Sequence, residues 1–177
     1  MSESSAEQTF NSEIFGTVLG YKQFGLAVEA SLMPKRTGPS GRDTPDFVLG
    51  RFDIAAGVEE WGAVGEIKNS KTDLDQPQVG RANKETPVEQ ALRYAVKGKP
   101  GVEWILVTNF REIRLYRNGY IGAYHSWRLD ELMQDDTLLE FYILLRPEGL
   151  LDRGRESTTA RCFRGNCSPR VEQQFHR

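Results

Sequence analysis

The sequence predicts a mixed α/β (α+β) fold, one mixed β-sheet sandwiched by helices in a single domain, and three observations predict it. Apolar residues alternate with period two in some stretches and recur every three to four residues in others, in the order helix, three strands, helix, strands, helix. The chain has 177 residues, 38% hydrophobic and 10% aromatic, enough to bury one core and short of a comfortable two. Its two cysteines, Cys162 and Cys167, both lie near the C-terminus and cannot staple the body of the fold.

Each element has a local reason. Residues 6–19 read as a helix, with Ser4 or Ser5 as cap and Phe10, Ile14 and Val18 recurring every four residues. Residues 25–33 alternate weakly and read as a strand, and the Gly- and Pro-rich stretch 34–44 as a loop. Residues 46–54 and 61–68 read as the second and third strands, with a turn between them from Ala56-Gly57 to Gly62. The polar stretch 69–85, interrupted by Pro77 and Gly80, is a loop or a broken helix. A firm helix start follows: Thr86 caps, Pro87 takes the first helical position, and Glu89 stands three residues after the cap. That helix runs to about Lys97, where Gly98 and Pro100 stop it.

Residues 104–109 form a short apolar strand and 112–117 alternate. Asn118-Gly119 then signals a type I′ hairpin into a strand over 120–127. An acidic, Leu-rich helix over 129–145 stops before Pro147. The domain is expected to span residues 1–150. The basic tail 151–177 has no apolar period and reads as poorly ordered, with a free or adventitiously oxidised thiol pair rather than a zinc site.

Charge and hydropathy exclude several classes. No run of about 18 apolar residues marks a membrane span, and MSESSAEQTF lacks the features of a secretory signal, so a cytoplasmic protein is expected. The formal net charge of −2 hides segregation. Residues 88–128 carry seven bases and three acids, whereas 129–152 carry seven acids and one base. That pattern suits either a polarised face meeting a polyanion or ordinary solvated surfaces.

One constellation carries chemistry. Glu66 and Lys68, two apart on a strand, share a face, and Asp46 opens the preceding strand. Hairpin pairing would set Asp46 beside Glu66, and adjoining carboxylates repel unless one is protonated or a cation bridges them. Mg²⁺ takes such oxygen ligands, and a neighbouring lysine can orient water and stabilise charge building on a phosphate. The alternative is a surface ion pair between Glu66 and Lys68. Glu29, an acid in the first strand, is a candidate third metal carboxylate or the partner of a base. Gln90 and Tyr94, four apart, share one helix face and suit either contact with a nucleic acid or the edge of the core. Arg93, Lys97, Lys99, Arg111 and Arg114 are the expected phosphate contacts, as charges with no apolar role.

Pro45-Asp46, Glu66-Ile67-Lys68 and Gln90-x-x-x-Tyr94 together resemble the PD-(D/E)xK nuclease superfamily. The closer likeness is to the N-terminal nuclease domain of type I and fused type IIG/IIL restriction–modification enzymes. It rests also on Leu19-Gly20-Tyr21, Thr108-Asn109 and Leu115-Tyr116, and covers roughly residues 6–146. The resemblance implies a restriction-endonuclease-like fold and a metal-dependent DNA endonuclease, part or remnant of a restriction–modification system. By it, Asp46 and Glu66, with Glu29, bind Mg²⁺ or Mn²⁺, Lys68 assists the attacking water, and Gln90 and Tyr94 contact double-stranded DNA or order the site. A methyltransferase or specificity subunit is the implied protein partner, and an oligomer is open. The rival expectation is a non-catalytic module on the same fold that binds DNA or a partner protein.

Overall fold

In the computed structural model, residues 3–25, 27–35, 44–78, 84–97, 99–152 and 157–163 are described. The period-two stretches become six strands: β1 (Glu29–Pro34), β2 (Phe47–Asp53), β3 (Val58–Ile67), β4 (Trp104–Thr108), β5 (Glu112–Arg117) and β6 (Tyr120–Arg128). They lie in the sheet in sequence order. Neighbours run antiparallel except β3 and β4. Those two are parallel because the connection between them crosses over through α2 (Pro87–Lys97), as a parallel pair requires.

The sheet is covered on both faces. On one, Val64, Ile105 and Val107 pack under α2 through Ala91, Tyr94 and Ala95. On the other, Leu49, Ala63, Ile67, Trp104, Leu106 and Leu115 meet the N-terminal helix and the C-terminal helices. The N-terminal helix begins as α1 (Glu3–Phe10) and continues as a π-helix over Asn11–Val18. Its wider turn keeps Asn11, Phe15 and Leu19, four apart, facing the core. The capping box before α2 forms as the sequence predicts: Thr86 N–H donates to Glu89 Oε2 at 2.8 Å, and Glu89 N–H to Thr86 Oγ1 at 3.1 Å.

Three local expectations are corrected. The β2–β3 turn is confined to Ile54–Gly57, with Val58 already paired to Asp53, so Glu59 and Glu60 sit in β3. At the β5–β6 turn only Gly119 has a positive φ, +81°, so the turn is not type I′. There Asn118 is held by its N–H to Glu103 O and its side-chain amide to Val102 O. The acidic stretch splits into a 3₁₀ turn (Glu131–Met133) and α3 (Asp135–Leu145).

The packed body also extends beyond residue 150. After α4 (Pro147–Leu150), the helix α5 (Thr158–Phe163) docks on the core. Thr159 Oγ1 lies 2.6 Å from Leu144 O, and the Phe163 ring centroid is 5.1 Å from that of Trp104. Short polar helices of this kind have no apolar period to betray them. Cys162 is disulfide-bonded, and Cys167, with the rest of 164–177, lies outside the described residues. Among the described residues no helix is long and apolar enough to cross a membrane.

Candidate active site

The β2–β3 register builds the site. Phe47 pairs with Gly65, which brings Asp46, the residue before β2, to the C-terminal end of β3 where Glu66 stands. Glycine is needed at 65, because a Cβ there would fall 2.0 Å from the Phe47 ring. Asp46 is latched twice: its N–H donates to Gly65 O at 2.9 Å, and its Oδ2 accepts the Ile67 N–H at 2.8 Å. Asp46 is 6% exposed and Glu66 2%.

Each carboxylate has an ammonium beside it. Lys68 Nζ donates to Glu66 Oε1, while the Lys68 N–H bonds Thr108 O at 2.8 Å and fixes the residue between β3 and β4. Lys35, just past β1, donates to Asp46 Oδ1 at 2.9 Å. That hydrogen bond, with the charges of Asp46, Glu7 and Glu66, raises the Lys35 pKa against the lowering effect of burial. From α2, Gln90 Nε2 donates to the Tyr94 hydroxyl at 2.6 Å, and Gln90 Oε1 accepts from Gln78 Nε2 at 2.9 Å. Burial raises the Tyr94 pKa, and the charge of Glu66 raises it further, which puts the phenol in the field of the pair.

The structure thus brings Asp46, Glu66, Lys68, Gln90 and Tyr94 to one end of one sheet face. It does not bring Glu29 there. Glu29 is exposed and pairs with Asp53, whereas Asp46 adjoins the Pro34 end of β1, about 16 Å along the strand. Nor are most of the expected phosphate contacts available, because the bases without apolar roles have acidic ones. Arg93 bonds Glu85, and Arg114 holds Asp75 at 2.7 Å and Glu112 at 2.9 Å. Lys99 pairs with Glu59 at 2.7 Å, near the start of β3, and Lys97 ends α2 at that same far end of the sheet. Arg114 is level with Glu66 across β4 but is held by its acids, whereas Arg111, exposed in the β4–β5 turn, has no ion pair among the described residues.

Two site residues escaped the sequence reading. Lys35 becomes visible only once β1 is registered against β2, and Gln78 only once its loop folds back on α2. Among the described residues no group of three or more His, Cys, Asp or Glu gathers, so the oxygen donor set is the Asp46–Glu66 pair. The chain matches no protein-family model, no curated protein and no solved structure.

Two buried carboxylates at one end of the sheet are hard anionic donors. With no His or Cys beside them they suit a small hard cation that keeps several waters, and the donor chemistry fits Mg²⁺ or Mn²⁺.

Proposed function

We propose that this protein is a metal-dependent endodeoxyribonuclease of restriction-endonuclease-like fold, part or remnant of a restriction–modification system. The observation that carries the reading is that two buried carboxylates meet one end of the sheet: Asp46, just before β2 and tied by its Oδ2 to the Ile67 N–H, and Glu66, the residue before Ile67. Buried carboxylates brought to one end of a sheet are costly, and clusters of this kind are characteristic of functional sites. Asp46 and Glu66 would hold Mg²⁺ or Mn²⁺. When bound, that ion supplies an activated water and neutralises charge on the phosphate. Lys68, fixed by Thr108, presents its ammonium where it can position the attacking water. Tyr94, its oxygen already accepting from Gln90, keeps its O–H proton free to donate to a phosphate oxygen. The substrate is double-stranded DNA, and a methyltransferase or specificity subunit is the fitting protein partner.

A second reading has its own support. Both carboxylates already have ammonium partners, Lys35 and Lys68, an arrangement that needs no cation. In that reading the domain binds DNA or a partner and cleaves nothing. Nicking of supercoiled plasmid in Mg²⁺, Mn²⁺ or EDTA, by wild type and Lys68→Ala, separates the two. The nuclease gives metal-dependent nicking that the variant loses. Retention of plasmid at low salt with no nicking in either metal selects the binding module.

A further inference from the structure

Just past Lys68, the chain enters a loop that has no regular secondary structure and is nevertheless pinned along its length. Lys71 N–H donates to Asn69 Oδ1 at 3.0 Å. Leu74 is 1% exposed, under α2. Asp75 is held at the far end by Arg114. The opposite wall is the β4–β5 turn, and Asn109 joins the two. Its Nδ2 donates to Thr72 O at 2.9 Å, and its Oδ1 accepts the N–H groups of Arg111 and Glu112, each at 3.1 Å. Phe110 takes a left-handed φ of +63° in this turn, held by its ring against Phe10 at 5.4 Å. Between the walls runs an open polar groove of about 490 Å³.

The cations of the basic surface are of two kinds, and Arg128, which lines this groove, is of the first. Lys68, Arg93, Lys99, Arg114, Arg117 and Arg128 each have a carboxylate partner. Lys71 from the loop and Arg111 from the turn both line the groove, and their side chains make no hydrogen bond or ion pair among the described residues. Walls fixed in advance and cations left uncommitted suit an anion that arrives from outside. The groove adjoins the ends of β3 and β4. Its β5 and β6 side lies two to three strand spacings from Glu66, about 10–15 Å, or roughly three to four nucleotides at the rise of a DNA strand.

We infer that this groove is a phosphate-backbone subsite, in which Lys71 and Arg111 hold the DNA strand a few nucleotides from the scissile position. The inference rests on the nuclease reading for its substrate but is tested without cleavage. A labelled duplex of arbitrary sequence is titrated in EDTA at several salt concentrations with wild type, Lys71→Ala, Arg111→Ala and, as a charge-matched change at the far end of the sheet, Lys99→Ala. Each groove variant is expected to bind about five- to tenfold more weakly at about 0.1 M salt. Each also lowers the slope of log affinity against log salt by about 0.9. Lys99→Ala is expected to match wild type. Wild-type binding by Lys71→Ala and Arg111→Ala, equal loss in Lys99→Ala, or no duplex binding by wild type at low salt each overturns the subsite. Plasmid nicking by the same proteins in Mg²⁺ reads the nuclease separately, so either idea can fail while the other stands.

Discussion

Two charged clusters sit on the same face of the sheet, one on β2 and β3 and the other on β5, about 10 Å apart across β4. Around Arg114 a single guanidinium meets two carboxylates in fork geometry: Asp75 at 2.7 and 3.0 Å, Glu112 at 2.9 and 3.1 Å. Its planar donors are consumed, and the acids approach it from different sides. Around Asp46 and Glu66 the order is inverted. Two buried carboxylates at one end of the sheet are balanced by two separate ammoniums, of which Lys35 is 56% exposed. The first cluster is closed by its own geometry and stitches a loop to the sheet. The second is held together by point charges, and under the proposed function a divalent cation takes their place. Charge balance alone does not distinguish structure from function; how the balance is made does.

Glu66→Gln makes the sharpest cut between the clusters. It is expected to lower plasmid nicking about 10³-fold or more while the far-ultraviolet circular dichroism stays that of wild type. Arg114→Met should do the reverse. Removing the guanidinium leaves two acids facing each other and should cost about 2–3 kcal/mol in denaturant unfolding, with nicking per folded molecule retained. Loss of nicking in a fully folded Arg114→Met protein would break the division. Thr86→Ala removes the cap of the helix that presents Gln90 and Tyr94, and should cost about 1 kcal/mol in the same assay.

The smallest effect concerns pH. The hydrogen bond from Arg114 holds the Asp75 carboxyl below its ordinary value of 3.8. A carboxyl depressed in the folded state contributes stability that is present above the unfolded value and lost as pH falls through the folded one. Below about pH 4, wild type should therefore lose stability more steeply than Asp75→Asn. The difference will be slight, because Asp75 is 62% exposed and water screens the pair.

What the sequence made legible was local. The Thr86–Glu89 capping box, the shared face of Glu66 and Lys68, and the succession of helices and strands along the chain all depend on neighbours a few residues away. What stayed hidden depends on register and crossover direction. Glu29 opens β1 and Lys35 follows its last residue, and only the pairing of Pro34 with Phe47 decides which end meets Asp46. Lys97 and Lys99 looked like phosphate contacts until the crossover placed the end of α2 away from the carboxylates. Arg114 finds Asp75 across 39 residues of chain, a pairing no local pattern announces. Asp46 and Glu66 were within reach because a tight hairpin joins their strands and makes a long-range contact nearly local.

The claim that the two buried carboxylates exist to hold a cation is tested most directly by thermal unfolding of wild type and Glu66→Gln, each with Mg²⁺ and with EDTA. Mg²⁺ at about ten times its dissociation constant stabilises a one-site protein by about 1.4 kcal/mol, roughly 3–6 °C for a domain of this size. Wild type should rise by that amount, and Glu66→Gln should not move. An equal rise in both proteins, or none in either, would contradict a metal site at Asp46 and Glu66 and leave the pair as structure.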